Sequence, residues 1–227
     1  MKKSIALIIT FVVILTCFAA CKKEEGTFEG GVLATDFKGN VIAAVVTQKD
    51  GKLQRGDSGN AVVLVTDAKG NNVKGEDGEN VTKVEHVDNA IVLGNRIEMA
   101  DYAINIPDGW SNAQSFEDLQ IKKDGKEDII VISALRDEKL ADVEADNSKL
   151  MEHFPAGAKV NKAITVAGEN ANFVSSYTTV NGTGVYLGFI TFSHQGVIYR
   201  CRLGSDRDLA GEIDNIVAIL NTIEFVH

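Results

Sequence analysis

The feature that most restricts what this chain can fold into is a self-similarity at an offset of 19 residues, which aligns Thr47 with Thr66, Gly51 with Gly70, Gly56 with Gly75, Gly59 with Gly78, Val62 with Val81 and Val65 with Val84. Asp57 falls on Glu76 in the same alignment. β-Branched runs at Val41 to Thr47, Ala61 to Thr66 and Val81 to Val87 are separated by Gly/Asp/Asn clusters, which supply the positive φ angles of tight turns. The pattern reads as a duplicated strand-and-turn unit. Two units are too few to stack as a solenoid. Residues 32–98 are therefore expected to form a small β module, or a β-rich extension packed on the next domain.

Two motifs in this region invite chemical readings. Gly56-Asp57-Ser58-Gly59 spells the nucleophile loop of trypsin-like proteases, but a serine nucleophile needs a histidine base and an orienting carboxylate in reach. No histidine precedes Ser58, so a turn matching Gly75-Glu76-Asp77-Gly78 is expected. Asp67, Asn71, Asn72, Glu76 and Asp77 could offer oxygens to Ca²⁺, yet Lys69 stands where a ligand belongs. Solvated turns are the reading here too.

Residues 99–227 change in character. Tyr102, Ile104 and Ile106 alternate on one face of a strand that ends at Pro107-Asp108-Gly109, just before Trp110. Leu119 to Lys123 and Asp128 to Leu135 flank Asp124-Gly125, a two-residue hairpin signal. Ile129-Ile130-Val131-Ile132 is apolar on both faces, as in a strand covered from both sides. Further strands are expected at Ala163 to Ala167, Asn172 to Val180, Val185 to His194 and Val197 to Leu203. Two amphipathic helices would supply the cover. Leu140, Val143, Leu150, Met151 and Phe154 trace one stripe; Leu209, Ile213, Ile216, Val217 and Leu220 trace another behind Ser205 as N-cap. The expected class is α+β: a C-terminal α/β/α sandwich around a mainly antiparallel sheet, preceded by the repeat-bearing β region.

The N-terminus carries an address. Lys2 and Lys3 precede an apolar run from Ile5 to Ala20, and at roughly 16 residues that run is shorter than the ~20 a membrane-spanning helix needs. It has the form of a secretory signal over residues 1–20. Phe18-Ala19-Ala20-Cys21 resembles the lipobox of bacterial lipoproteins, and that resemblance implies that Cys21 becomes the acylated mature N-terminus. Cys17 is the rival acceptor, but Ile14-Leu15-Thr16 before it fits the small-residue requirement less well. Two or three acyl chains at about 0.8 kcal/mol per buried methylene would hold a soluble body on a bilayer. Residues 21–31, ending in Gly30-Gly31, are expected to serve as a flexible tether reaching at most about 35 Å. Processing leaves Cys201 without a disulfide partner, so a buried, inert thiol is expected there.

The C-terminal part has a resemblance of its own. Tyr102-Ala103-Ile104-Asn105-Ile106-Pro107-Asp108-Gly109-Trp110, the hairpin meander and the ending Ile216 to Phe225 resemble the PsbP-like domains of photosystem extrinsic subunits, DcrB-type bacterial proteins and small lipoproteins. The resemblance covers residues 99–227 and leaves the repeat region outside. It implies a sandwich fold and non-enzymatic binding or assembly roles, and it carries no binding residues over.

Other signals exclude more than they assign. Gly182-Thr183-Gly184 followed by Gly188 runs on as a strand and reads as a hairpin turn, not a dinucleotide loop. His86, His153, His194 and His227 are dispersed without zinc spacing; Glu85, His86 and Asp88 could make at most a surface metal contact. The acidic run Asp137, Glu138, Asp142, Glu144, Asp146 and Glu152 reads as the wet side of a helix. A net charge of −9 without a basic cluster excludes nucleic acid as a partner. The expected function is a membrane-anchored extracytoplasmic lipoprotein of the cell envelope, non-catalytic, with no cofactor and no metal, whose partners are the membrane, through its acyl chains, and an envelope protein. The alternatives are a small-ligand or cation receptor for a transporter, and a hydrolase whose site is assembled from distant residues.

Overall fold

A computed structural model of the protein describes residues 27–28, 31–56, 59–85, 90–115, 118–154, 159–180 and 182–226. Its first half is strands: Thr27–Phe28 (β1), Gly31–Thr35 (β2), Val41–Val45 (β3), Ala61–Leu64 (β4), Thr82–Glu85 (β5), Ile91–Leu93 (β6), Arg96–Glu98 (β7), Tyr102–Asn105 (β8), Trp110–Ser115 (β9), Asp118–Lys123 (β10) and Ile129–Leu135 (β11). Helix α1 (Leu140–Glu152) follows, then Val160–Val166 (β12), Glu169–Val180 (β13), Thr183–His194 (β14), Val197–Ser205 (β15), helix α2 (Leu209–Leu220) and Glu224–Phe225 (β16).

The strands pair antiparallel in two sheets. The first runs β16-β8-β7-β6-β2-β3-β4-β5, with β1 added on β2; the second runs β12-β13-β14-β15-β11-β10-β9. Thr27–Phe28, inside the stretch expected as a tether, pairs with Val32 and Gly31, and Gly31 is buried against Leu64.

The 19-residue duplication is visible in the backbone. Bridges Thr47–Leu53 and Arg55–Ala61 recur as Thr66–Asn72 and Lys74–Asn80. Each unit closes a ring of three hydrogen bonds. Val46 N–H donates to Val62, Val62 to Gln54 and Gln54 to Val46; in the second unit Val65 donates to Val81, Val81 to Val73 and Val73 to Val65. Turns beginning at Asp36, Gln48, Gly56, Asp67 and Gly75 share one geometry: the first N–H donates to the fifth carbonyl, and the fourth residue's N–H to the first carbonyl. That fourth residue is glycine each time, with φ between 77° and 84°, the left-handed region that a side chain disfavours.

Alternation along the second sheet gives it two faces. One carries Phe173, Ile190, Phe192, Tyr199, Cys201, Ile132, Ile121 and Leu119, all fully buried. Part of its cover is α2, whose Leu209 rests on Gly188, where a Cβ would lie 2.9 Å from the Val174 carbonyl and 3.1 Å from Leu209 Cδ1. The rest comes from the first sheet. Ile97, Tyr102 and Ile104 join the same core, and Phe225 packs on Tyr199 at 5.2 Å and on His194 at 3.8 Å between ring centres. Helix α1 lies on the opposite face, where Asn147 Nδ2 donates to Thr191 Oγ1 at 2.8 Å.

The expected α/β/α sandwich is thereby corrected. Among the described residues strands make up 52% and helices 14%, so this is a β-rich pair of antiparallel sheets with one helix on each face of the second. The physical reason is pairing. β8 and β16 alternate as members of the C-terminal sheet would, yet β8 bonds to β7 and β16 to β8, so they build the first sheet together with the repeat region in place of joining the helix-covered second one. Local differences have local causes. Lys122 pairs with Ile129 and Lys123 N–H donates to Asp128, which makes the hairpin loop four residues, Asp124 to Glu127, in place of two. Asp208 caps α2 by accepting from Ala210 N–H, because Ser205 is engaged with Asp128.

A charge network ties the repeat region to the end of the chain. Glu98, 4% exposed, accepts from Arg96 Nε at 2.7 Å and Arg55 at 2.9 Å. Arg96 continues to Glu224 at 3.1 Å, which Lys52 also reaches at 3.0 Å. Glu98→Ala leaves Arg55 without its carboxylate and Arg96 with Glu224 alone, and is expected to cost about 3–5 kcal/mol in urea unfolding. Burial raises the Glu224 carboxyl, but the bonds from Lys52 and Arg96 outweigh it and hold the group below its usual range. Its contribution is present above about pH 4.3 and lost as pH falls. The stability gap between wild type and Glu224→Gln should accordingly shrink below that pH in acid titrations followed by circular dichroism.

Candidate functional site

Cys21, the expected acylation site, and Cys17, Ser58, His86, Asp88 and His227 lie outside the described residues. Gly56 and Gly59, which bracket Ser58, close the same turn as Gly75 and Gly78, as the repeat requires. The Asp67 carboxylate is consumed by its own turn. Oδ1 accepts from Lys69 and Asn71 N–H and Oδ2 from the Asn71 amide, which lowers its pKa. Asp77 likewise accepts from Glu79 N–H. Glu85 is exposed and paired with Lys83 at 2.9 Å. Among the described residues, no three His, Cys, Asp or Glu side chains converge on a point where a metal could sit.

The remaining candidates are packed or exposed separately. Cys201 is fully buried, and burial pushes its thiol up to about 12. His194 Nδ1 lies 2.8 Å from Glu169 and its ring is stacked on Phe225, while His153 is exposed at the end of α1. Gly182, with φ 82°, turns the β13–β14 hairpin at the Val180–Thr183 pair.

A small cleft lies between the end of the second sheet and α2, with room of about 20 Å³ for water-sized spheres. The Pro107-Asp108-Gly109 turn builds one wall: Gly109 takes φ 78° and its carbonyl accepts from Asp124 N–H, delivering Trp110 to the first position of β9. Lys123 pairs with Trp110 across the ladder and sets Nζ 5.7 Å from the ring centre. Ile129, Ile130, Leu209 and Ile216 supply apolar floor, and Glu212 and Asn215 the opposite rim.

Beside the floor, Ser205 Oγ donates to Asp128 at 2.6 Å and accepts from Arg207 N–H at 2.9 Å. Arg207 binds both Asp128 and Glu212. Asp128 is thus fixed by a guanidinium, and the arrangement latches the end of β15 to α2. In volume the cleft is far below the range of small-molecule sites. Trp110 was legible as a motif residue; its pairing with Lys123 needed the hairpin register.

The sequence matches no protein-family model and no curated protein. Solved structures overlap it in part. A Bacteroides thetaiotaomicron protein is 13% identical over 56% of this chain and 45% of its own, with a TM-score of 0.43. LpqN of Mycobacterium tuberculosis, described as involved in cell envelope biogenesis, is 17% identical over 54% of this chain and 82% of its own, at 0.38. Cyanobacterial PsbP from Synechocystis sp. PCC 6803 is 12% identical over 55% and 86%, at 0.37. The chain spans about 45% of the length of the Bacteroides protein.

The burial of Cys201 yields a direct expectation. Maleimide at pH 8 should leave the Cys201 peptide unlabelled in the folded protein and label it fully in denaturant, as read by peptide mass mapping.

Proposed function

We propose that this protein is a lipid-anchored extracytoplasmic module of the cell envelope that binds or helps assemble another envelope protein and performs no chemical step of its own. The observation that carries the reading is the N-terminal sequence: Lys2 and Lys3, the apolar run and Phe18-Ala19-Ala20-Cys21. Acyl chains on Cys21 would hold the acidic body at the bilayer surface without a spanning segment. Two features of the fold favour docking over carriage of a solute. The space between the sheets is filled by side chains, and the cleft beside α2 is too small to enclose a small molecule.

The chain holds one tryptophan, and it lines that cleft, so its fluorescence reports occupancy. Cys21→Ser is expected to abolish radiolabelled palmitate incorporation and leave uncleaved precursor; normal labelling in that variant contradicts the anchor. Crosslinking in membranes from a photoreactive residue at Asn215 should trap one discrete envelope protein, and Lys123→Glu should weaken the adduct. Recovery of no partner together with turnover of a substrate would overturn the non-catalytic reading.

A further inference from the structure

Strand β5 ends the first sheet, and all four of its residues are exposed. The ladder with β4 fixes which of its backbone groups are spent. Val62 N–H and C=O are both used on the far side of β4, bonding Gln54 and Val46, and Val65 N–H bonds Val81. With Val62 opposite Val84 and Val63 opposite Lys83, the antiparallel alternation directs Lys83 and Glu85 inward to β4 and turns the N–H and C=O of Thr82 and Val84 outward. No described residue pairs with that outer edge. Val84 is also 54% exposed, among the large apolar side chains left to solvent.

We infer that this edge is a self-association surface, on which β5 pairs antiparallel with β5 of a second copy about a two-fold axis at Val84. The sequence Lys83-Val84-Glu85 is complementary to itself in that register. Val84 faces its own copy as the hydrogen-bonded pair, and Lys83 stands opposite Glu85 of the second copy, twice. The two charged pairs then occupy the non-hydrogen-bonded positions, where side chains approach most closely. Lys83 already meets Glu85 of its own strand at 2.9 Å on one face, so the dimer completes a four-charge cluster. The repeat points the same way: β3 accepts β4 and β4 accepts β5, and no strand among the described residues continues the series. An edge of four residues buries little area, so the association is weak in solution and concentration-dependent. This inference does not depend on the anchor or on the cleft.

The test uses the full chain and two single variants, Lys83→Glu and Glu85→Lys. Each places like charges opposite in its own dimer and complementary charges in a mixed one. Sedimentation velocity should show wild type dimerising with rising concentration, each variant at least tenfold weaker, and the equimolar mixture recovering wild-type association. Val84→Cys should form a disulfide-linked dimer on mild oxidation, mapped to residue 84, where the paired Cα atoms are about 5.5 Å apart. Both substitutions sit on an exposed edge, and matching thermal melts establish that the variants fold. A wild type monomeric at every concentration overturns the inference. So does a dimer that ignores the charge changes, or a mixture no tighter than its parts.

Discussion

A buried carboxylate, Glu98 on β7, holds together stretches that share little apolar surface. It takes Arg55 from the first repeat unit and Arg96 from its own strand; Arg96 passes the connection to Glu224 on the last strand. Burying such a charge is costly, and the cost is offset only when partners and geometry are supplied together. Here that condition fixes where the repeat sits on β7 and where β16 sits beside β8. From β16, Phe225 reaches Phe192, Tyr199 and His194, so the charge network and the aromatic core constrain the same strand from two sides.

The two repeat units share a backbone and differ in burial. In the first, Val45, Leu53, Ala61 and Val63 form a small core with Ala34 and Ile91. The second buries almost nothing, and β5 is exposed throughout. What it keeps is the ring of three hydrogen bonds and turns closed by their own carboxylates, as at Asp67. Such a unit is ordered by local geometry, with its apolar positions left at the surface.

Much of this was legible where the signal is local. The offset of 19, the glycine at the fourth turn position, the long hairpins β13–β14 and β14–β15 and both helices follow from spacing alone. The ring closures did not, because they join residues eight and sixteen apart through backbone groups that carry no side-chain signature. Asn147 sits between Val143 and Met151 on the buried side of α1, a place where periodicity expects an apolar residue, and only Thr191 across the interface explains it. Leu150, counted in the apolar stripe, is 49% exposed. Nothing in the local pattern marks Arg55 and Glu98 as partners; the fold brings these residues, 43 positions apart, to 2.9 Å. The sandwich expectation failed for the same reason: alternation gives the faces of a strand and leaves its neighbours open.

The account rests on Glu98 tying the repeat region to β7 and β16, and on the apolar core that Ile97, Tyr102 and Ile104 share with the second sheet making the two sheets one cooperative body. Native-state hydrogen exchange tests this most directly. The account predicts that amides of β3, β4, β7 and β8 open with the same free energy as those of β13 to β15, in one global event. Opening of residues 31–98 at several kcal/mol less than the second sheet would contradict it.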